Sequence, residues 1–199
     1  MSSFVDNYMI LNNEKFTEEN LYDSTRKLLE AQSKGRASFY EKPSARIFYN
    51  KSKKWICIYF TAAFISRTTI DGLRENVAML SEYYGTTVVN NQVLETNTLL
   101  MTMHGETSGM CAKDPFDFYL VEDAGIKMEF DKWKHLFECD ESTVAKILEA
   151  EYDDETNRVK DLWVQLGFDE IIVMCDNLAY DWLIDYQADK IKDFTIIEV

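Results

Sequence analysis

Residue types that take part in acid–base and nucleophilic chemistry stand close together between His104 and Cys111. The segment MHGETSGMC carries the histidine, Ser108 and the cysteine beside two glycines. A serine or cysteine nucleophile needs a nearby base and an oxyanion site, and glycine-rich turns can hold such residues in exposed positions. The run G-E-T-S-G places threonine where the nucleophile elbow requires serine. An ordinary surface loop is therefore the favoured interpretation, and a small hydrolase or thiol enzyme using this loop is an alternative.

The sequence contains no pattern typical of a metal or nucleotide site. The run YDDETN, with Asp153, Asp154 and Glu155, lacks the residue order of a calcium loop. The glycine-rich nucleotide-binding patterns do not occur, and the cysteines do not have the spacing of a zinc site. We therefore expect no metal, no cofactor and four reduced thiols, at Cys57, Cys111, Cys139 and Cys175.

Carboxylates recur every fourth residue in the stretch DNLAYDWLIDYQADK, residues 176–190. On a helix, Asp181, Asp185 and Asp189 would form one stripe, and like charges at this spacing repel each other. Tyr180 and Tyr186 lie beside the stripe, and tyrosine contributes much of the binding energy at protein interfaces. A ring of acids also speeds the approach of a basic partner. These five residues are the predicted partner-binding site, and a solvated helix face is the alternative.

The net charge of the chain is concentrated in its last third. The sequence has 35 acidic and 21 basic residues, for a net charge of −14. Residues 138–199 hold 17 of the acids and only 5 of the bases. A field of this sign repels the phosphate backbone of nucleic acids and attracts a basic protein. We therefore expect a basic protein partner and no direct nucleic-acid binding.

Periodic apolar residues predict the elements of the first half. FVDNYMILNN reads as a strand, and FTEENLYDSTRKLLEAQSKG reads as a helix that stops at Gly35. SARIFYNKSKKWICIYF predicts a hairpin that turns at residues 50–53. IDGLRENVAMLSEYYG predicts a helix capped by Thr69 and followed by Gly85. The segment TTVVNNQVLETNTLLMTMHGE predicts extended structure, as one strand or two.

The second half reads as a hairpin followed by alternating helices and strands. FDFYLV and IKMEFDKW predict the hairpin, with its turn at residues 122–125. ESTVAKILEAEY predicts a helix capped by Ser142, and ETNRVKDLWVQLG predicts a helix that ends at Gly167. FDEIIVMCD predicts a buried strand, residues 176–190 a helix, and DFTIIEV a last strand.

These elements predict an α+β fold with a mixed, mainly antiparallel sheet built from two hairpins and about five helices packed against it. We expect a single domain over residues 1–199, with an acidic C-terminal third from about residue 138. No basic region precedes a long apolar run, and no stretch of roughly 18 apolar residues occurs. A cytoplasmic monomer or dimer without membrane association is therefore expected.

The function that fits this charge pattern is binding without catalysis. The sequence predicts a protein-binding module, such as an acidic inhibitor or immunity-type protein that covers a basic partner. A regulator whose carboxylates imitate DNA phosphates is an alternative with the same charge and a different partner. The hydrolase or thiol enzyme described above is the third hypothesis.

Overall fold

The structure is a computed structural model that describes residues 5–33, 43–60, 70–94, 98–113, 127–128, 130–150, 155–169, 189 and 191–199. The strands in these ranges are β1 (Val5–Leu11), β2 (Ala45–Tyr49), β3 (Trp55–Phe60), β4 (Val88–Leu94), β5 (Thr98–His104), β6 (Ser108–Lys113), β7 (Lys127–Met128) and β8 (Thr195–Glu198). The helices are α1 (Glu18–Ser33), α2 (Ile70–Tyr84), α3 (Phe130–Trp133), α4 (Glu141–Glu149) and α5 (Glu155–Leu166). Every strand pairing within these ranges is antiparallel, which confirms the predicted α+β class.

The strands form one sheet in the order β7-β6-β5-β4-β1-β3-β2-β8. β1 lies inside this order and pairs with β3 on one side and with β4 on the other. The first predicted hairpin is confirmed as β2 and β3, and the last predicted strand, β8, pairs with β2. The segment predicted to be extended forms two neighbouring strands, β4 and β5.

Consecutive residues of β3 point to opposite faces of the sheet, and both faces are covered. Cys57 belongs to one buried cluster, whereas Ile56 and Ile58 belong to the other. This alternation follows from the two-residue period of a strand. Helices α1 and α2 cover the isoleucine face with buried Leu21, Leu28, Leu29, Val77 and Leu80. Helices α3, α4 and α5 cover the Cys57 face with buried Trp133, Val144, Leu148, Leu162, Trp163 and Leu166.

Glycines end two of the predicted helices. Gly85 follows α2 with a φ of 64°, and Gly167 follows α5 with a φ of 75°. Both values lie in the left-handed region, which glycine adopts without the steric cost of a Cβ. Four of the predicted helices are confirmed as α1, α2, α4 and α5.

The second predicted hairpin is wrong in its second strand. In the described part of the segment IKMEFDKW, Lys127–Met128 form the short strand β7, and helix α3 begins at Phe130. Phe130 and Trp133 are three residues apart, so a helical turn directs both to one side, which a strand would not do. Trp133 and Phe137 are buried in the cluster under α3, and the rings of Phe130 and Phe137 stack at 5.7 Å.

Several predicted features lie outside the described residues. They are Gly35, Thr69, the strand FDFYLV, the turn at residues 122–125, the strand FDEIIVMCD from residue 170 onward, and the helix over residues 176–190 except Asp189.

Two buried hydrogen bonds hold α5 on the sheet. The indole N–H of Trp163 donates to the side-chain carbonyl of Asn91 at 2.7 Å, and neither residue is exposed to solvent. The indole N–H of Trp55 donates to the backbone carbonyl of Leu166, also at 2.7 Å. A buried acceptor that loses its donor destabilises the fold. These two hydrogen bonds therefore fix the position of α5 on the sheet, in addition to the packing of its apolar side chains.

We expect the Trp163→Phe variant to be less stable than the Trp133→Phe variant by about 1–3 kcal/mol. Both tryptophans are fully buried, and both changes remove the same atoms. Only Trp163 loses a hydrogen bond, because the indole N–H of Trp133 has no partner among the described residues. Urea unfolding of the two variants measures the difference in the free energy of unfolding. Equal losses of stability would contradict the role given to the bond with Asn91.

Candidate functional site

The structure describes one of the five predicted partner-binding residues. Asp189 is exposed. Asp181, Asp185, Tyr180 and Tyr186 lie outside the described residues. The acidic stripe and its tyrosine anchors therefore stay a prediction.

The acidic residues of the last third are mostly at the surface. Nine acids of residues 138–199 have described side chains, and eight of them are exposed. The ninth, Asp169, is half-buried. We call the eight the exposed acids: Glu138, Asp140, Glu141, Glu149, Asp161, Asp189, Asp193 and Glu198.

Cations of the β2–β3 hairpin form ion pairs with acids of the last third. Arg46 lies 2.8 Å from Glu198, and Lys53 lies 3.4 Å from Asp169. The Lys54 ammonium is 3.8 Å from Glu138 and donates a hydrogen bond of 2.6 Å to a backbone carbonyl. Burial lowers the pKa of Lys54, and Glu138 acts in the opposite direction. Part of the negative charge of the last third is therefore balanced within the chain.

Asp140, and not the predicted Ser142, caps the N-terminus of α4. Its carboxylate accepts hydrogen bonds from the backbone N–H of Thr143 at 2.9 Å and from the Ser142 hydroxyl at 2.8 Å. Both residue types are good caps, but the carboxylate stands one position before the helix with an extended backbone. These hydrogen bonds, that of Thr143 first, hold the pKa of Asp140 below its ordinary value. The carboxylate therefore stays charged at neutral pH.

The described cysteines are poorly suited to nucleophilic chemistry. Cys57 and Cys139 are both free thiols, which confirms the prediction of reduced cysteines for these two. Cys57 is buried inside the sheet. Burial, and after it the neighbouring Asp140 carboxylate, raises the pKa of the Cys139 thiol. A raised pKa lowers the fraction of reactive thiolate at neutral pH.

The segment predicted to be a surface loop is mostly a hairpin. β5 ends at His104 and β6 begins at Ser108, so only residues 105–107 connect the two strands. His104 and Ser108 are direct cross-strand neighbours, and the Nδ1 atom of the imidazole is 2.8 Å from the serine Oγ atom. The side chain of Cys111 lies outside the described part of the structure. The structure thus brings together the histidine and the serine of the predicted set.

A pocket of about 280 Å³ opens beside this hairpin. It is lined by Arg74, Thr102, Met103, His104, Ser108, Gly109 and Lys132. Sequence reasoning missed Arg74, Thr102 and Lys132 as members of a site. For Thr102 there is one signal in the sequence. It is two positions from His104, so a strand directs both side chains to the same face of the sheet. Arg74 and Lys132 come from α2 and α3, and no local pattern links those helices to the hairpin.

No family model, curated protein or solved structure matches this chain. Within the described ranges, no helix is both long and apolar enough to cross a membrane. Among the residues that the structure describes, no group of three or more His, Cys, Asp or Glu side chains is placed to hold a metal ion.

We expect the Asp140→Ala variant to be less stable than the wild-type protein at pH 7, and this difference to shrink in acid. The pKa of Asp140 is lowered in the folded state from its ordinary value of 3.8. A carboxyl of this kind stabilises the fold above its unfolded pKa, and that stability is lost as the pH falls through the folded pKa. Urea unfolding at pH 7 and at low pH measures the difference.

The matched control is Asp140→Asn, which keeps a capping acceptor but cannot titrate. It should be close to the wild-type protein at pH 7, and its stability should change less as the pH falls. A difference between the Asp140→Ala variant and the wild-type protein that is constant with pH would contradict the assigned cap.

Proposed function

We propose that this chain is a non-catalytic, acidic protein-binding module that binds a basic protein through its C-terminal third. The observation that carries the proposal is that eight of the nine described acids in residues 138–199 are exposed. Exposed carboxylates create a field that extends into solvent and steers a cationic partner toward the surface. The same charges repel one another in the free protein, so a basic partner converts repulsion into attraction.

The fold supports this proposal because several of the exposed acids lie at or on helices that pack against the sheet. Asp140 and Glu141 begin α4, and Asp161 lies on α5. Helix α5 is attached to the sheet by the buried bond between Trp163 and Asn91. A surface that is already ordered loses less conformational entropy when a partner binds.

The kind of binder proposed is an inhibitor or immunity-type protein that covers a cationic surface of its partner. Asp181, Asp185 and Asp189 would supply the charge, and Tyr180 and Tyr186 would supply aromatic contact area. The DNA-mimic alternative uses the same charge to occupy a nucleic-acid-binding protein. The identity of the partner distinguishes these two functions.

A hydrolase is the second candidate function, and the 2.8 Å contact between His104 and Ser108 favours it. A histidine within hydrogen-bond distance can act as the base for a serine nucleophile. The thiol version would use Cys111, whose side chain lies outside the described residues. The exposed acids play no part in either version, so the binding function explains more of the described surface.

The test of the binding function starts with affinity capture from the native cell lysate and continues with association kinetics of the captured protein. We expect a basic partner whose association rate constant falls about tenfold or more between low and high salt, because salt screens electrostatic steering. Surface plasmon resonance at several salt concentrations measures this constant for the wild-type chain and for three charge variants.

Two of the variants remove acids of the last third, and one is a matched control with the same change in net charge. The first is Asp181→Asn with Asp185→Asn and Asp189→Asn. The second changes exposed acids that do not cap α4, namely Glu141→Gln, Glu149→Gln and Asp193→Asn. The control changes exposed acids of the first part of the chain, namely Glu19→Gln, Asp23→Asn and Glu82→Gln.

We expect the first two variants to associate more slowly at low salt and to depend less on salt, and the control to behave as the wild-type chain does. Circular dichroism should show that all three variants are folded. Recovery of no partner, or of a partner indifferent to the first two variants, would contradict the proposal. Equal slowing by the control would show that net charge acts without a defined surface.

A further inference from the structure

The pocket beside the β5–β6 hairpin is cationic although the chain as a whole is acidic. The two cations Arg74 from α2 and Lys132 from α3 converge on it, and His104 at the end of β5 also lines it. The described lining residues include no carboxylate, in a sequence with 35 acidic residues. Arg74 and Lys132 also interact with other residues of the chain. Their convergence on one pocket concentrates positive charge locally in a chain whose net charge is −14.

Hydroxyl groups stand beside these cations, and one of them is buried without a partner. Thr102 lines the pocket with 2% of its surface exposed, and its Oγ1 atom has no hydrogen-bond partner among the described residues. Buried polar groups in folded proteins almost always have a partner, which can be a ligand. The second hydroxyl, of Ser108, is oriented by its contact with the His104 imidazole.

A second unpaired donor lies next to Gly109, one of the residues that line the pocket. The indole N–H of Trp133 is fully buried and has no hydrogen-bond partner within the described ranges. Its Nε1 atom is only 2.8 Å from the position that a Cβ atom on Gly109 would occupy. Glycine at this position therefore leaves room for the indole, whereas the Cβ atom of a larger residue would clash with it.

The size of the pocket limits what it can hold. Its volume of about 280 Å³ is roughly nine times the share of one water molecule in the liquid. A phosphate group fits this space with a few waters or with a short organic substituent. Guanidinium, ammonium and hydroxyl groups are the donors that bind phosphate oxygens in proteins.

We propose that this pocket binds a phosphate group, carried by inorganic phosphate or by a small phosphomonoester. Arg74 and Lys132 supply the positive charge, and the hydroxyls of Thr102 and Ser108 donate hydrogen bonds to the oxygens. His104 is a positioning residue whose Nδ1–H group donates to the Ser108 oxygen, so the serine hydroxyl keeps its proton for the phosphate. None of the exposed acids belongs to this site. The phosphate proposal is therefore independent of the proposed protein partner.

The test is a titration of the whole 199-residue chain. Binding is monitored through the indole N–H signal of Trp133 in ¹H–¹⁵N NMR spectra. The probes are inorganic phosphate and methyl phosphate, with sodium chloride of matched ionic strength as the control. We expect a saturable shift of this signal with at least one phosphate probe and none with chloride. Tighter binding of methyl phosphate would assign the site to a phosphomonoester, and equal or weaker binding would assign it to inorganic phosphate.

Variants of the two cations test which residues bind the phosphate. Arg74→Gln and Lys132→Gln should each weaken binding about tenfold or more, because hydrogen bonds to charged groups are the stronger ones. Lys134→Gln is the matched control, since this lysine is exposed near Lys132 but does not line the pocket. It should leave the dissociation constant within about twofold, because an exposed charge outside the site is screened.

Thr102→Val separates a binding role from a structural one. Removing an unpaired buried hydroxyl should raise the melting temperature of the ligand-free chain and should weaken phosphate binding. A purely structural hydroxyl would give a lower melting temperature and unchanged binding. The proposal is overturned if neither phosphate probe gives a saturable shift, or if the shift persists unchanged in Lys132→Gln and Arg74→Gln.

Discussion

The structure depends on the need to cover both faces of the inner strands. All six residues of β3 are buried, and successive residues enter opposite clusters. Helices must therefore pack on both sides of the sheet, since an uncovered face would leave large apolar side chains in water. On the side of Cys57, this cover comes from α3, α4 and α5, and the Trp163 bond to Asn91 sets the position of α5. The polar residues of these helices then face solvent, which places Glu141, Glu149 and Asp161 at the surface.

Local sequence patterns were sufficient to predict most of the helices and strands, but not how these elements pack against one another. Helices α1, α2, α4 and α5 follow from apolar spacing, and the two glycines with positive φ mark the ends of α2 and α5. Helix α3 was missed because its aromatic residues also favour strands, and burial of Trp133 decides between the two structures. The pairing of β1 with both β3 and β4 joins segments far apart in sequence, and only packing sets that register.

The two candidate sites could be predicted to different extents. A charge excess is visible in any sequence, so the acidic character of residues 138–199 and the exposure of Asp189 needed no tertiary information. The pocket could not be found in this way, because Arg74 and Lys132 reach it from separate helices. The surroundings of the cations also differ between the two sites. Arg46, Lys53 and Lys54 form ion pairs with acids of the last third. The described lining of the pocket contains cations and hydroxyls but no carboxylate.

The central claim is that the last third of the chain is the surface that contacts a basic partner. Hydrogen–deuterium exchange of the chain, alone and in complex with the captured partner, tests this claim most directly because it requires no substitution. We expect the partner to slow exchange mainly in peptides from residues 138–199. Protection confined to residues 1–137, or no protection anywhere in a saturated complex, would contradict it.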